Sequence, residues 1–229
     1  MKLKSLSIAL ATLGMGLAAT SAQALLLIPG SGPLAVDIIA AAPGGTVLAS
    51  RSEAVTTPHW SGTFRTAVVD SDAGAGVRLD FYYQIANATS STDALGRLTG
   101  SDFGSAFSPV DLVQTAAAFG IFTAGQQAAS SGDRGNLGVV GFTVAPGANG
   151  QGKVDPGQTS YTLIIRTNAT TFGDGFTGIT NGTATTVASY MPTGAGQPPI
   201  VGPIPEPGTL ALLASGLLAA GGVARRRTK

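Results

Sequence analysis

The run Val77-Arg-Leu-Asp-Phe-Tyr-Tyr-Gln-Ile85 constrains the fold of this chain more than any other stretch. Val77, Leu79, Phe81, Tyr83 and Ile85 fall on one face of an extended chain, and Arg78, Asp80, Tyr82 and Gln84 fall on the other. Strict period two marks a β-strand, because successive strand side chains point to opposite faces. Wound as a helix, the same apolar residues would scatter around the cylinder. Residues 63–69 precede this run across Asp70-Ser-Asp-Ala-Gly-Ala-Gly76, so the two segments are expected to form a hairpin.

Other strands follow from the same logic. Residues 139–145 and 159–167, rich in Val, Phe, Tyr and Ile, are expected to pair across a loop holding Pro146-Gly147 and Pro156-Gly157. Residues 175–180 and 183–190 flank Asn181-Gly182, a dipeptide favoured where both central turn residues need positive φ. Weaker strands are expected at 36–40, at 46–51 and around 111–122, where an alanine-rich run leaves a short helix open. The 33 glycines and 13 prolines stay below the roughly 25–30% at which disorder becomes the default, so they read as turns. Many short strands without alternating long helices predict an all-β body, an antiparallel β-sandwich or jelly-roll-like fold.

The two ends of the chain read differently. Lys2 and Lys4, the apolar stretch 6–19 and Ala22-Gln23-Ala24 have the order of a secretory signal peptide. Residues 1–24 are therefore expected to form a signal helix that signal peptidase removes after Ala24. At the other end, Pro205-Glu206-Pro207 is held extended, since proline fixes its own φ and pushes its predecessor out of the helical region. Residues 209–224 carry no charge, and as a helix they span about 24 Å, less than the roughly 30 Å hydrocarbon core of a bilayer. Arg225, Arg226 and Arg227, with Lys229, then form a cationic stop on the cytoplasmic side. The expected organisation is a signal peptide at 1–24, an exported β-domain at 25–193, a Pro/Gly linker at 194–203 and a sorting segment with a short transmembrane helix at 204–229.

On those residues the tail resembles a PEP-CTERM sorting signal: a Pro-Glu-Pro motif, a short Leu/Ala/Gly span and a terminal arginine cluster. The resemblance implies recognition by an exosortase, a membrane-embedded, cysteine transpeptidase-like enzyme. It also implies transient membrane insertion, followed by delivery to the cell surface or the extracellular matrix. An ordinary C-terminal anchor is the alternative, against which stand the short span and its interruptions at Gly216, Gly221 and Gly222. Residues 81–87, 138–142 and 156–170 are similar to stretches of other PEP-CTERM surface proteins. That similarity implies an all-β exported body and assigns no catalytic residue.

Export changes what the charge means. Without Lys2, Lys4, the four basic tail residues and Glu206, the body keeps seven basic against eleven acidic residues, a net charge of about −4. The basic precursor charge thus belongs to the targeting segments and offers nothing for nucleic-acid binding. With no cysteine and one histidine, neither a cysteine nucleophile nor a zinc site has material. The candidates that remain are weak. Asp70 and Asp72 echo the start of a calcium loop, but Asp and Gly are also what a strand-connecting turn uses. His59 beside Trp60 suggests acid/base chemistry near a sugar-stacking ring, without a nucleophile or orienting carboxylate at a recognisable spacing. Tyr82 projects opposite the hydrophobic face, open to contact with a polysaccharide or partner or to burial under a second sheet. Asn87-Ala-Thr, Asn168-Ala-Thr and Asn181-Gly-Thr match the glycosylation tripeptide. The reading is a non-enzymatic, exported surface protein without cofactor, associated with exopolysaccharide; the alternatives are a secreted enzyme acting on matrix glycans and a calcium-dependent adhesion module.

Overall fold

Residues 79–87 form a strand, as their alternation predicts, yet both of its faces are buried. The reason lies in the layers around it. The computed structural model describes residues 26–42, 44–71, 78–107, 110–144, 153–181 and 183–195. The signal helix and the C-terminal transmembrane helix expected from the sequence lie outside these residues. The strands are β1 (Leu26–Leu27), β2 (Asp37–Ile38), β3 (Thr46–Thr56), β4 (Ser61–Asp70), β5 (Leu79–Asn87) and β6 (Arg97–Gly100). They continue with β7 (Val110–Thr115), β8 (Ser131–Arg134), β9 (Val140–Thr143), β10 (Thr162–Arg166), β11 (Ala169–Thr180) and β12 (Ala184–Ala195).

Seven strands make one sheet, in the order β1-β7-β10-β5-β4-β3, with β2 also pairing to β7. The other five make a second sheet, β12-β11-β6-β9-β8. All pairings are antiparallel except the short parallel one between β2 and β7. The main core lies between the sheets: Phe64, Val68, Leu79, Phe81, Tyr83, Leu163 and Ile165 from the first meet Leu98, Val140, Phe142, Ile179 and Val187 from the second. These residues obey the inward alternation that period two requires.

Two expected hairpins form. β4 pairs with β5 in unbroken register from Gly62↔Asn87 to Asp70↔Leu79. β11 pairs with β12 from Thr180↔Ala184 outward to Ala169↔Ala195, longer at both strands than the sequence suggested. The third expected pair does not form. β9 sits between β6 and β8 in the five-stranded sheet, whereas β10 lies between β7 and β5 in the other. The physical reason is β10's apolar content on both faces: Leu163, Ile164 and Ile165 are all buried, which suits the middle of a covered sheet and not a two-stranded ribbon.

The second covering layer comes from residues 116–122. The alanine-rich run is not a helix; Phe119 and Phe122 close a tight turn through reciprocal backbone hydrogen bonds of 3.2 and 2.9 Å. Their rings pack edge-on against Tyr82 at 5.9 Å each, over Ala67, Val69, Val113 and Ile164. Gln84 fixes this cover by donating to the Thr123 carbonyl at 2.7 Å and accepting from the Thr123 amide at 3.0 Å. Tyr82 is therefore fully buried; of the two outcomes left open for it, burial holds and the polysaccharide contact does not, with a loop in the place of the second sheet.

Candidate functional site

Below the Tyr82 cluster, the same outer face of the sheet carries charge. Arg166 at the end of β10 stands directly opposite Asp80 on β5 and directly opposite Asp111 on β7. Cross-strand partners project to one face, so an acid–base–acid row runs across three strands. Arg166 Nη1 donates to Asp111 Oδ2 at 3.4 Å, and its Nε lies 3.9 Å from Asp80 Oδ2. Both carboxylates are buried, Asp80 at 2% exposure and Asp111 at 7%.

Burial dominates their protonation. It pushes the Asp80 carboxyl up to about 7, against the opposing pull of Arg166 and a hydrogen bond from Ser71. Asp111 moves up for the same reason, again opposed by Arg166 and helped by the nearby charge of Asp37. Asp80 Oδ2 is buried without a hydrogen-bond partner, 3.9 Å from Arg166 Nε, while the Asp111 carboxyl also draws on the Leu112 backbone amide. A recess of about 260 Å³ opens beside the row, lined by Ser71, Arg78, Asp80, Arg166 and Thr167. Such a site can hold a proton near neutral pH. The Arg166 guanidinium lies within 4 Å of both carboxylates and couples them as one charged row.

A second recess, of about 160 Å³, lies at the opposite end of the β3–β4 hairpin, lined by Thr57, His59, Trp60, Ser90, Ser91 and Thr92. Its hydroxyls largely bond the local backbone. Ser91 Oγ receives the Ser61 amide at 2.9 Å and donates to the Ser61 carbonyl at 2.9 Å, while Thr92 Oγ1 donates to the His59 carbonyl at 2.8 Å. His59 is exposed, but Trp60 is only 2% exposed and belongs to the core, which removes it as a sugar-stacking platform.

The observation that bears most directly on function lies in the tail. The description "PEP-CTERM protein-sorting motif" matches residues 203–227. The chain carries a PEP-CTERM sorting signal. No curated protein and no solved structure matches the chain. The PEP-CTERM signal marks the protein for export and for sorting to the cell surface or beyond by an exosortase. Its Pro205, Glu206, Pro207, Arg225, Arg226 and Arg227, like Ala22 and Ala24 of the leader, lie outside the described residues. Among the described residues no helix is long and apolar enough to cross a membrane.

The remaining sequence candidates are placed as follows. Asp70 ends β4, and Asp72 lies outside the described residues; among those described, no three His, Asp or Glu gather as metal ligands. Asn87 and Asn168 are each 3% exposed, and the Asn87 amide nitrogen donates to the Asp93 and Val154 carbonyls at 2.8 and 3.0 Å. A glycan on Asn87 is incompatible with that burial. Sequence reasoning missed Asp111 and Arg166. Each stands at the border of an apolar strand, a place where charge ordinarily means exposure, and the mistaken pairing of β10 with β9 hid the row they form with Asp80.

Proposed function

We propose that this is a non-enzymatic, exported β-sandwich protein of the cell surface or extracellular matrix, delivered by an exosortase and associated with exopolysaccharide. The observation that carries the reading is the sorting motif at 203–227. Two features of the body support its non-catalytic half. Among the described residues the buried Asp80 and Asp111 carboxylates are both engaged by Arg166, and hydroxyls around His59 bond neighbouring backbone. For the polysaccharide, the exposed His59 ring and Ser90 hydroxyl on the rim of their recess offer hydrogen-bonding groups of matching chemistry.

Mass spectrometry of the protein recovered from the surface of its native host tests the reading. The expected species begins at Leu25 and has lost everything after the Pro-Glu-Pro region; a Glu206→Ala chain accumulates uncut in the inner membrane. Recovery of intact Arg225-Arg226-Arg227 as the main surface species would overturn sorting by cleavage. Association is read separately, by co-sedimentation of the purified protein with host exopolysaccharide, and release of a reducing sugar in the same tube would restore the enzyme.

A further inference from the structure

The recess of about 260 Å³ beside Asp80 is walled from two directions. Ser71 and Arg78 close the β4–β5 ladder, the Ser71 amide donating to the Arg78 carbonyl at 3.1 Å. Arg166 ends β10, and Thr167 follows it, its hydroxyl donating to the Leu79 carbonyl at 2.8 Å and accepting from the Ala169 amide at 2.9 Å. Asp80 lines the same recess although it is buried, and its Oδ2 has no hydrogen-bond partner. Leaving a buried carboxyl oxygen unpaired is costly, so a hydroxyl brought into the recess would be favoured there. Two guanidinium groups act on the same place. Arg166 keeps 36% of its side chain exposed while it engages Asp80 and Asp111, and the charge of Arg78 also reaches Asp80.

These groups call for a ligand that carries an anionic acceptor beside a hydroxyl. Guanidinium groups suit a carboxylate, which they meet through charge-assisted hydrogen bonds. With Asp80 protonated, Arg78 and Arg166 outweigh Asp111 by one charge, which fits a monoanion. The volume falls below the roughly 300–1,000 Å³ of sites for drug-sized ligands, so it takes one small ring and not a stretch of polymer. We propose that this recess binds a hydroxy acid of the uronate class, a sugar ring whose carboxylate meets Arg78 and Arg166 and whose hydroxyl meets Asp80 Oδ2. The inference rests on the association with exopolysaccharide only for the source of that ring, since a free sugar acid has the same chemistry. Binding is coupled to a proton. Above pH 7 the Asp80 carboxylate repels the ligand's own and competes for the same guanidinium groups. The charges that reach Asp80 are those of Arg166 on β10, Asp111 on β7 and Arg78 at the hairpin end; Val69 of β4 stands opposite, and burial keeps the neighbouring Tyr82 phenol neutral.

Calorimetric titration of the protein recovered from its native host tests the site, with sodium glucuronate as probe, glucose as the neutral ring and acetate as the bare carboxylate. Glucuronate is expected to bind at least about tenfold more tightly than either control. Its affinity is expected to fall about tenfold from pH 6 to pH 8, because the protonated fraction of a group titrating near 7 drops from about nine-tenths to about one-tenth. Asp80→Asn stays uncharged and is expected to bind at pH 8 as wild type does at pH 6; if it does not fold, the wild-type pH series carries the test. Arg78→Gln is expected to weaken binding at least about tenfold with the melting temperature unchanged. Absence of glucuronate binding, equal affinity for acetate, or full affinity in Arg78→Gln overturns the site. Polygalacturonate then separates the sources: its retention, competed by free glucuronate, supports a ring within a polymer, and glucuronate binding without it supports the free acid. Host exopolysaccharide that co-sediments while glucuronate fails to bind overturns the recess alone. Glucuronate binding without co-sedimentation overturns the association alone.

Discussion

Asp80 is the residue at which sequence and structure diverge most in meaning. In the alternating run it stands on the polar side of the strand, where exposure is the ordinary expectation; in the fold it is buried beside Arg166. An unfolded aspartate titrates near 3.9, whereas burial carries the folded Asp80 to about 7. Between those values the folded state binds the extra proton, so stability falls as pH rises from about 4 to about 7 and then levels. Asp80→Asn is therefore expected to flatten that slope in melts recorded across the window, and parallel slopes for the two proteins would refute the assignment. Arg134 gives a second residue-scale prediction. It is 1% exposed, and its guanidinium donates to the carbonyls of Leu27, Phe103 and Gly104 at 2.8, 2.9 and 2.7 Å. Arg134→Met removes these bonds from the Leu27 and Phe103 carbonyls, both within buried contacts, while the Gly104 carbonyl keeps the Phe107 amide at 3.0 Å, and is expected to lower stability by roughly 2–4 kcal/mol in denaturant titration, chiefly through that lost hydrogen bonding.

Elements were legible where their partners are local. The β4–β5 and β11–β12 hairpins follow from alternation interrupted by turn residues, and each forms with its sequence neighbour. β10 was legible as a strand but not in its partners, because an apolar run fits the middle of any covered sheet and the connection before it is long enough to change sheets. The short strands β1, β6 and β8 carry too few residues to show a period. The cover over Tyr82 was hidden for a different reason: Ala116–Ala118 favours helix locally, and only the docking of Phe119 and Phe122 on Tyr82 overrides that preference. The Asp80–Arg166–Asp111 row was illegible without the sheet order, since its members lie on three strands distant in sequence. If the cover is a packed layer, Phe122→Ala should cost about 3–5 kcal/mol and speed proteolysis within 116–125. Unchanged protection of that segment would mean that Gln84 alone holds it.

At the scale of the whole molecule, both lateral openings of the sandwich are laced without disulfides. On one side, residues 28–34 hydrogen-bond β8 through Gly30 to Arg134 and through Leu34 to Gly132, while the preceding β1 belongs to the opposite sheet. On the other, Arg51 of β3 reaches Asp174 of β11 at 2.9 Å and lies over the Tyr190 ring of β12. The exported body, free of cysteine, is expected to show a β-type circular dichroism spectrum and a cooperative melt indifferent to reductant. The last of its described strands bears on sorting through chain length alone. β12 remains paired to β11 through Ala195, so about nine residues, 196–204, separate the folded body from Pro205. Fully extended they reach at most about 32 Å. That length must let a folded domain stand clear of the bilayer while the Pro-Glu-Pro motif reaches a membrane-embedded enzyme. Deleting 196–201 leaves about three residues and roughly 10 Å, which brings the body against the membrane surface. The uncut form of this deletion is expected to accumulate in the inner membrane even though its sorting motif is intact, and replacing the six residues by Gly/Ser of equal length is expected to restore processing. Efficient cleavage of the shortened chain, measured by the mass of its C-terminus, would show that the enzyme reaches the motif without the spacer.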